Sequence, residues 1–153
     1  MVVTFFGHSD FTPSAEDHDR LMQILEEAIG ENTVEFLLGG YGGFDAFAYR
    51  CCKEFKSLHK SAILTYVTPY LTEEIQKKKL QEISAQYDSI LYPSLENVPP
   101  KAAISRRNEN MVDYADIVIV YVERSYGGAA HALQRAEKAH KKIYHLCSER
   151  TRG

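Results

Sequence analysis

Apolar residues fall into short continuous runs that alternate with longer stretches of helical spacing. Residues 2–6 form the first run and read as a strand. Residues 16–29 place Leu21, Met22, Leu25 and Ile29 on one face of a helix, with Gly30 as its stop. Residues 34–38 predict a second strand. Residues 44–55 predict a second helix, with Phe44, Phe47, Ala48, Cys51 and Phe55 recurring on one side. Residues 62–67 predict the third strand. Thr72 is expected to cap a helix running to about Tyr87, with Ile75, Ile83 and Tyr87 inward and Lys77, Lys78 and Lys79 outward. A short strand over 89–92 and a loop over 93–100 follow. A helix over 101–114, the most apolar strand over 117–122, a helix over 128–140 and a sixth strand over 142–146 complete the pattern.

Strands that do not alternate polar with apolar residues are buried on both faces. Separated by helices, they predict an α/β fold: a Rossmann-like, doubly wound, mostly parallel sheet of about five or six strands with helices on both faces. Ligands of such sheets lie beyond the C-terminal ends of the strands. Residues 1–147 are read as a single domain, and 148–153 as a frayed polar tail.

Composition narrows the classes. The chain has 153 residues, 44% hydrophobic and 25% charged, which is ordinary for a globular domain. No apolar run approaches the ~20 residues of a bilayer span, and no signal peptide is expected. Three cysteines without metal-ligand spacing predict reduced thiols in a cytoplasmic protein and no metal site. A net charge of −3 argues against a domain that lives on phosphate neutralisation, so nucleic acid is an unfavoured partner.

Two glycine-rich turns supply the candidate chemistry. Gly39-Gly40-Tyr41-Gly42-Gly43 follows the second strand and Tyr126-Gly127-Gly128 the fifth, and each opens a helix. Helices starting on one sheet edge aim free N–H groups and positive dipole ends at the same space. An anion is the expected ligand there, above all a nucleotide phosphate. Gly7, His8, Ser9 and Asp10 follow the first strand onto that edge. Asp45 sits in the first turn of the second helix. Arg106, Arg107 and Asn108 precede the fifth strand, where an arginine fork grips phosphate. Ser125 completes the late turn, and His131 lies one turn inside its helix. Tyr41, Tyr66, Tyr70 and Tyr126 fall near the edge as possible stacking partners for a base. There is no Gly-x-Ser-x-Gly elbow, no H-E-x-x-H, no C-x-x-C, no Walker loop and no dinucleotide fingerprint. No cofactor is evident.

Taken together, these segments resemble the SLOG superfamily, the Rossmann-like group of Lonely Guy phosphoribohydrolases and DNA-processing protein A, and above all its small stand-alone bacterial members. Gly7-His8-Ser9 corresponds to a G-H-(R/S) segment after strand one. Gly39 to Asp45 corresponds to a G-G-x-x-G-x-D turn. Arg107 to Asp116 corresponds to an R-N-x-x-M-V-x-x-A-D helix. The resemblance implies a nucleotide-like ligand with its phosphate on the glycine turns, and a homo-oligomer. It also implies an N-glycosidic hydrolase as an alternative, with Arg107 on the catalytic arginine. The family's P-G-G-x-G-T-x-x-E motif departs here: Tyr126 replaces proline and Gln134 the glutamate. A neutral amide is a poor substitute for a carboxylate in that chemistry. Glu123 and Asp10 remain as acid candidates. Binding without catalysis is therefore the leading expectation, the hydrolase second, and single-stranded nucleic-acid binding third.

Overall fold

A computed structural model describes residues 1–69, 82–95 and 97–147. Six strands form one sheet in which every adjacent pair runs parallel: β1 (Val2–Gly7), β2 (Glu35–Leu38), β3 (Ile63–Val67), β4 (Ser89–Leu91), β5 (Ile117–Tyr121) and β6 (Lys142–His145). Their spatial order is β4-β3-β2-β1-β5-β6. Among the described residues, the four long helices are α1 (Ala15–Ile29), α2 (Gly42–Leu58), α3 (Ala103–Tyr114) and α4 (Gly128–Lys138). Each strand predicted from the apolar runs is present. Of the helix predicted over 72–87, residues 82–86 are helical, while Thr72, Ile75, the lysines 77–79 and Tyr70 lie outside the described residues. The tail over 148–153 lies outside them too.

The pleat sorts side chains into two cores. Val3 and Phe5 of β1, Phe36 of β2 and Ile119 of β5 pack under α1 and α2, with Leu25, Phe44, Cys51 and Phe55. Phe6, Leu37, Val118 and Val120 face the other way, against Met111 and Val112 of α3 and Ala132 and Ala136 of α4. The alanine stripe lets α4 lie close to the sheet. Thr4 is buried on β1, and its hydroxyl is satisfied by donating to the Leu37 carbonyl at 3.0 Å. Cys51, Cys52 and Cys147 are all buried and free.

Local signals fix the element ends. Ser14 and Asp17 form a reciprocal capping box at the start of α1, and Gly30 ends it at φ +58°. The helix expected from residue 101 begins instead as a single 3-10 turn, Pro100–Ala102, before α3. No side chain caps that start.

The strand order has one consequence for ligands. β1 sends its chain toward β2 on one side, while β5 lies on its other side and is reached from the far edge. The order reverses at β1/β5, and a crevice opens there beyond the strand ends.

Candidate functional site at the topological switch point

A cavity of about 300 Å³ occupies that crevice. Three loops and a helix wall it: Gly7–Ser9 after β1, Gly39 and Tyr41 after β2, Arg107 and Asn108 on α3, and Arg124 with Tyr126–Ala129 after β5. The segments expected to converge on one edge do so.

The two glycine turns differ in what they offer. The backbone of the first is already engaged. The Gly43 N–H donates to the Ser9 carbonyl at 2.7 Å, the Phe44 N–H to the His8 carbonyl at 3.3 Å, and the Tyr41 N–H to Asp45 Oδ2 at 2.9 Å. Its glycines answer to packing. A Cβ on Gly42 would stand 2.7 Å from Ser9 Cα, and one on Gly43 2.2 Å from the Phe11 carbonyl oxygen. Gly40, at φ +67°, passes under the Tyr66 ring. Gly42 and Gly43 therefore dock the start of α2 onto the loop after β1, Gly40 lies against β3, and all three stand outside the cavity lining. Gly7 serves the same docking, for its missing Cβ leaves room for Phe44, which would lie at 2.1 Å.

The second turn is open. Gly127 opens α4 at φ +93°, with no side-chain cap and no heavy atom within 4 Å of a Cβ placed there. The first amides of a helix have no intrahelical acceptor. Here Gly127, Gly128 and Ala129, at that end of α4, line the cavity wall. Tyr126 before them is 68% exposed, and Tyr41 across the mouth is 71% exposed. Both line the cavity.

Arg107 is 4% exposed and holds the floor together. Its Nη1 donates to the carbonyls of Gly39 (3.0 Å) and Val67 (3.1 Å), and its Nε to Asn108 Oδ1 (3.0 Å). The guanidinium thus ties α3 to the ends of β2 and β3. Asp45 lies beside it: a Cβ on Gly39 would meet both Asp45 Oδ2, at 3.1 Å, and Arg107 Cζ, at 3.3 Å. Burial pushes the Asp45 carboxyl up to about 6, against the opposing pull of the Tyr41 N–H and the Arg107 charge.

The loops after β1 and β5 are joined twice. His8 Nε2 accepts the Glu123 N–H at 2.9 Å, so that nitrogen carries no proton. Burial, then the nearby Arg124 charge, lowers the His8 pKa and keeps the ring neutral. Arg124 Nη2 donates to both Asp10 oxygens, at 2.7 and 2.9 Å. That hydrogen bond holds the Asp10 carboxyl below its usual range.

Of the residues singled out from sequence, Gly7, His8, Ser9, Gly39, Tyr41, Asp45, Arg107, Asn108, Tyr126, Gly127 and Gly128 line the cavity. Asp10, Glu123, Ser125 and Arg106 do not. Asp10 is paired with Arg124, Glu123 accepts from the Tyr121 hydroxyl at 2.9 Å, and Arg106 lies 3.8 Å from Glu109. Gln134 and His131 line a separate groove between α3 and α4, which shares only Asn108 and Gly128 with the cavity. Arg124, Ile104 and Met111 are wall residues that sequence reasoning did not select. Arg124 announces itself only through Asp10, 114 positions away. Among the described residues no group of acids, histidines or cysteines is arranged to hold a metal. No described helix is long and apolar enough to cross a membrane.

No family model matches the chain, and comparison with curated proteins finds no match. The fold is shared with solved structures. DNA processing protein A from Helicobacter pylori, described for its single-stranded DNA binding mode, superposes at a TM-score of 0.63 with 21% identity, over 95% of this chain and 64% of that one. The chain thus spans just under two thirds of that protein's length. The structural-genomics target TM1055 superposes at 0.56 with 14% identity, over 93% of this chain and 71% of the other. The likeness is one of fold, the Rossmann-like α/β architecture that the sequence predicts.

Proposed function

We propose that this chain binds a nucleotide or nucleotide-derived anion in the switch-point cavity, and that it acts as a binding module. One observation carries the reading. The uncapped start of α4 opens into a cavity whose mouth is flanked by two exposed tyrosines, Tyr41 and Tyr126. Helix amides and their dipole suit a phosphate. Flat aromatic rings suit a base, and such stacking tolerates different bases. A volume of about 300 Å³ is at the small end of ligand pockets, so one nucleotide unit fits better than two.

The hydrolase alternative has less support. Gln134 stands in the neighbouring groove, Glu123 is turned to Tyr121, and Arg107 is committed to strand-end carbonyls. The test is incubation with nucleoside mono-, di- and triphosphates, reading thermal shift and chromatographing the products. Stabilisation with intact ligand is the expected result. Release of free base would replace the module with a glycosidase, and no shift with any compound would sink the reading.

A second reading, single-stranded DNA binding, is favoured by the neighbour from Helicobacter pylori. It opposes the expectation from net charge. Oligonucleotide affinity that falls steeply with salt, without mononucleotide binding, would establish it.

A further inference from the structure

We infer that Asp45 selects the ribose: its free carboxylate oxygen accepts a hydrogen bond from a sugar hydroxyl, so the site takes ribonucleotides in preference to nucleotides that lack the diol. This rests on the nucleotide reading above. Asp45 supplies the only carboxylate among the described residues lining the cavity. A negative group is out of place in a pocket that serves only to hold an anion. Its Oδ2 is occupied by the Tyr41 N–H, while among the described residues nothing donates to Oδ1. A carboxylate has acceptor sites to spare and no donor when ionised, so its natural counterpart in a ligand is a hydroxyl or N–H.

The strand order places the group at a suitable distance. Asp45 follows β2 and the open amides follow β5, with β1 between them. Two strand spacings amount to about 10 Å. Hydrogen bonds of about 3 Å at each end leave several ångströms between, which a ribose 5′-phosphate spans. The base then reaches the mouth, where Tyr41 sits four residues before Asp45 in the same turn. Arg107 lies beside the carboxyl and donates to the carbonyls of Gly39 and Val67 and to Asn108 Oδ1.

The test compares adenosine 5′-monophosphate with 2′,3′-dideoxyadenosine 5′-monophosphate, and likewise the guanosine, cytidine and uridine pairs, by titration calorimetry at pH 7.5. A charge-assisted hydrogen bond predicts at least about tenfold tighter binding of the ribose form to the wild type. Asp45→Asn keeps a carbonyl oxygen for the Tyr41 N–H, and it is expected to shrink that ratio severalfold. Equal binding of the two forms by the wild type overturns the assignment and leaves the nucleotide reading intact. A ratio retained in Asp45→Asn also overturns it. Failure of every pair to bind overturns both. Should Asp45→Asn not fold, equal binding of the two forms by the wild type still overturns the assignment.

Discussion

Gly7 ends β1 and Gly127 caps the start of α4, and the two glycines answer to different demands. At Gly7 the space belongs to Phe44, itself 1% exposed, so a methyl has nowhere to go. Gly7→Ala is expected to cost about 3 kcal/mol through overpacking, read as a lowered urea midpoint. Gly127 has open space and only its φ of +93° to lose. Gly127→Ala is expected to cost about 1 kcal/mol and to leave the fold intact, while weakening any anion bound at α4. Equal costs at the two positions would refute the packing account. Asp45 offers a pH test. Its folded pKa of about 6 stands above the ordinary carboxylate value, so the folded state holds the proton more tightly than the unfolded one. Stability from this group is full at pH below about 4 and is lost as pH rises through about 6. Arg107 and Tyr87 are the other ionisable groups coupled to it. Relative to wild type, Asp45→Asn is therefore expected to gain on the order of 1 kcal/mol at pH 7.5 and nothing at pH 4.

At the scale of elements, α1 and α2 are stitched across their exposed seam by His18 to Glu54 and His59 to Glu26. Hydrogen bonding to Glu54 first, and to Asp19 second, raises the His18 pKa. That contribution is complete below about pH 6.5 and disappears as pH climbs through the raised value. Both partners are exposed, so it amounts to a few tenths of a kcal/mol. Glu54→Gln is expected to lower the His18 pKa in an NMR titration with little change in melting. The elements themselves were legible because strands such as β5 are apolar on both faces, and because α1 carries an apolar stripe and a glycine stop. The turns were legible as turns. Which one stays open was not, since it depends on contacts such as Phe44 over Gly7, far apart in sequence. Arg107 was likewise picked out by its motif, and it lines the cavity. Its role as a strut appears only when β2 and β3 end beside it.

The whole molecule joins its two halves at the switch point. The loops after β1 and β5 close on each other through His8 to the Glu123 N–H and Asp10 to Arg124. Arg124→Ala removes one of these ties and one cavity wall together. It is expected to weaken binding of a nucleotide severalfold more than it lowers the melting temperature, which a calorimetric titration beside a melt would check. One feature of the interior lends itself to such measurements. All three thiols are buried, and burial pushes the Cys51 thiol up to about 12 and Cys52 well above its ordinary value. A disulfide reagent should therefore find almost nothing to react with in the folded chain. Modification has to wait for the α2 layer to open or for the chain after β6 to peel away. The rate at which colour develops becomes a clock for those openings, with no label introduced, and an occupant that holds the halves together should slow it.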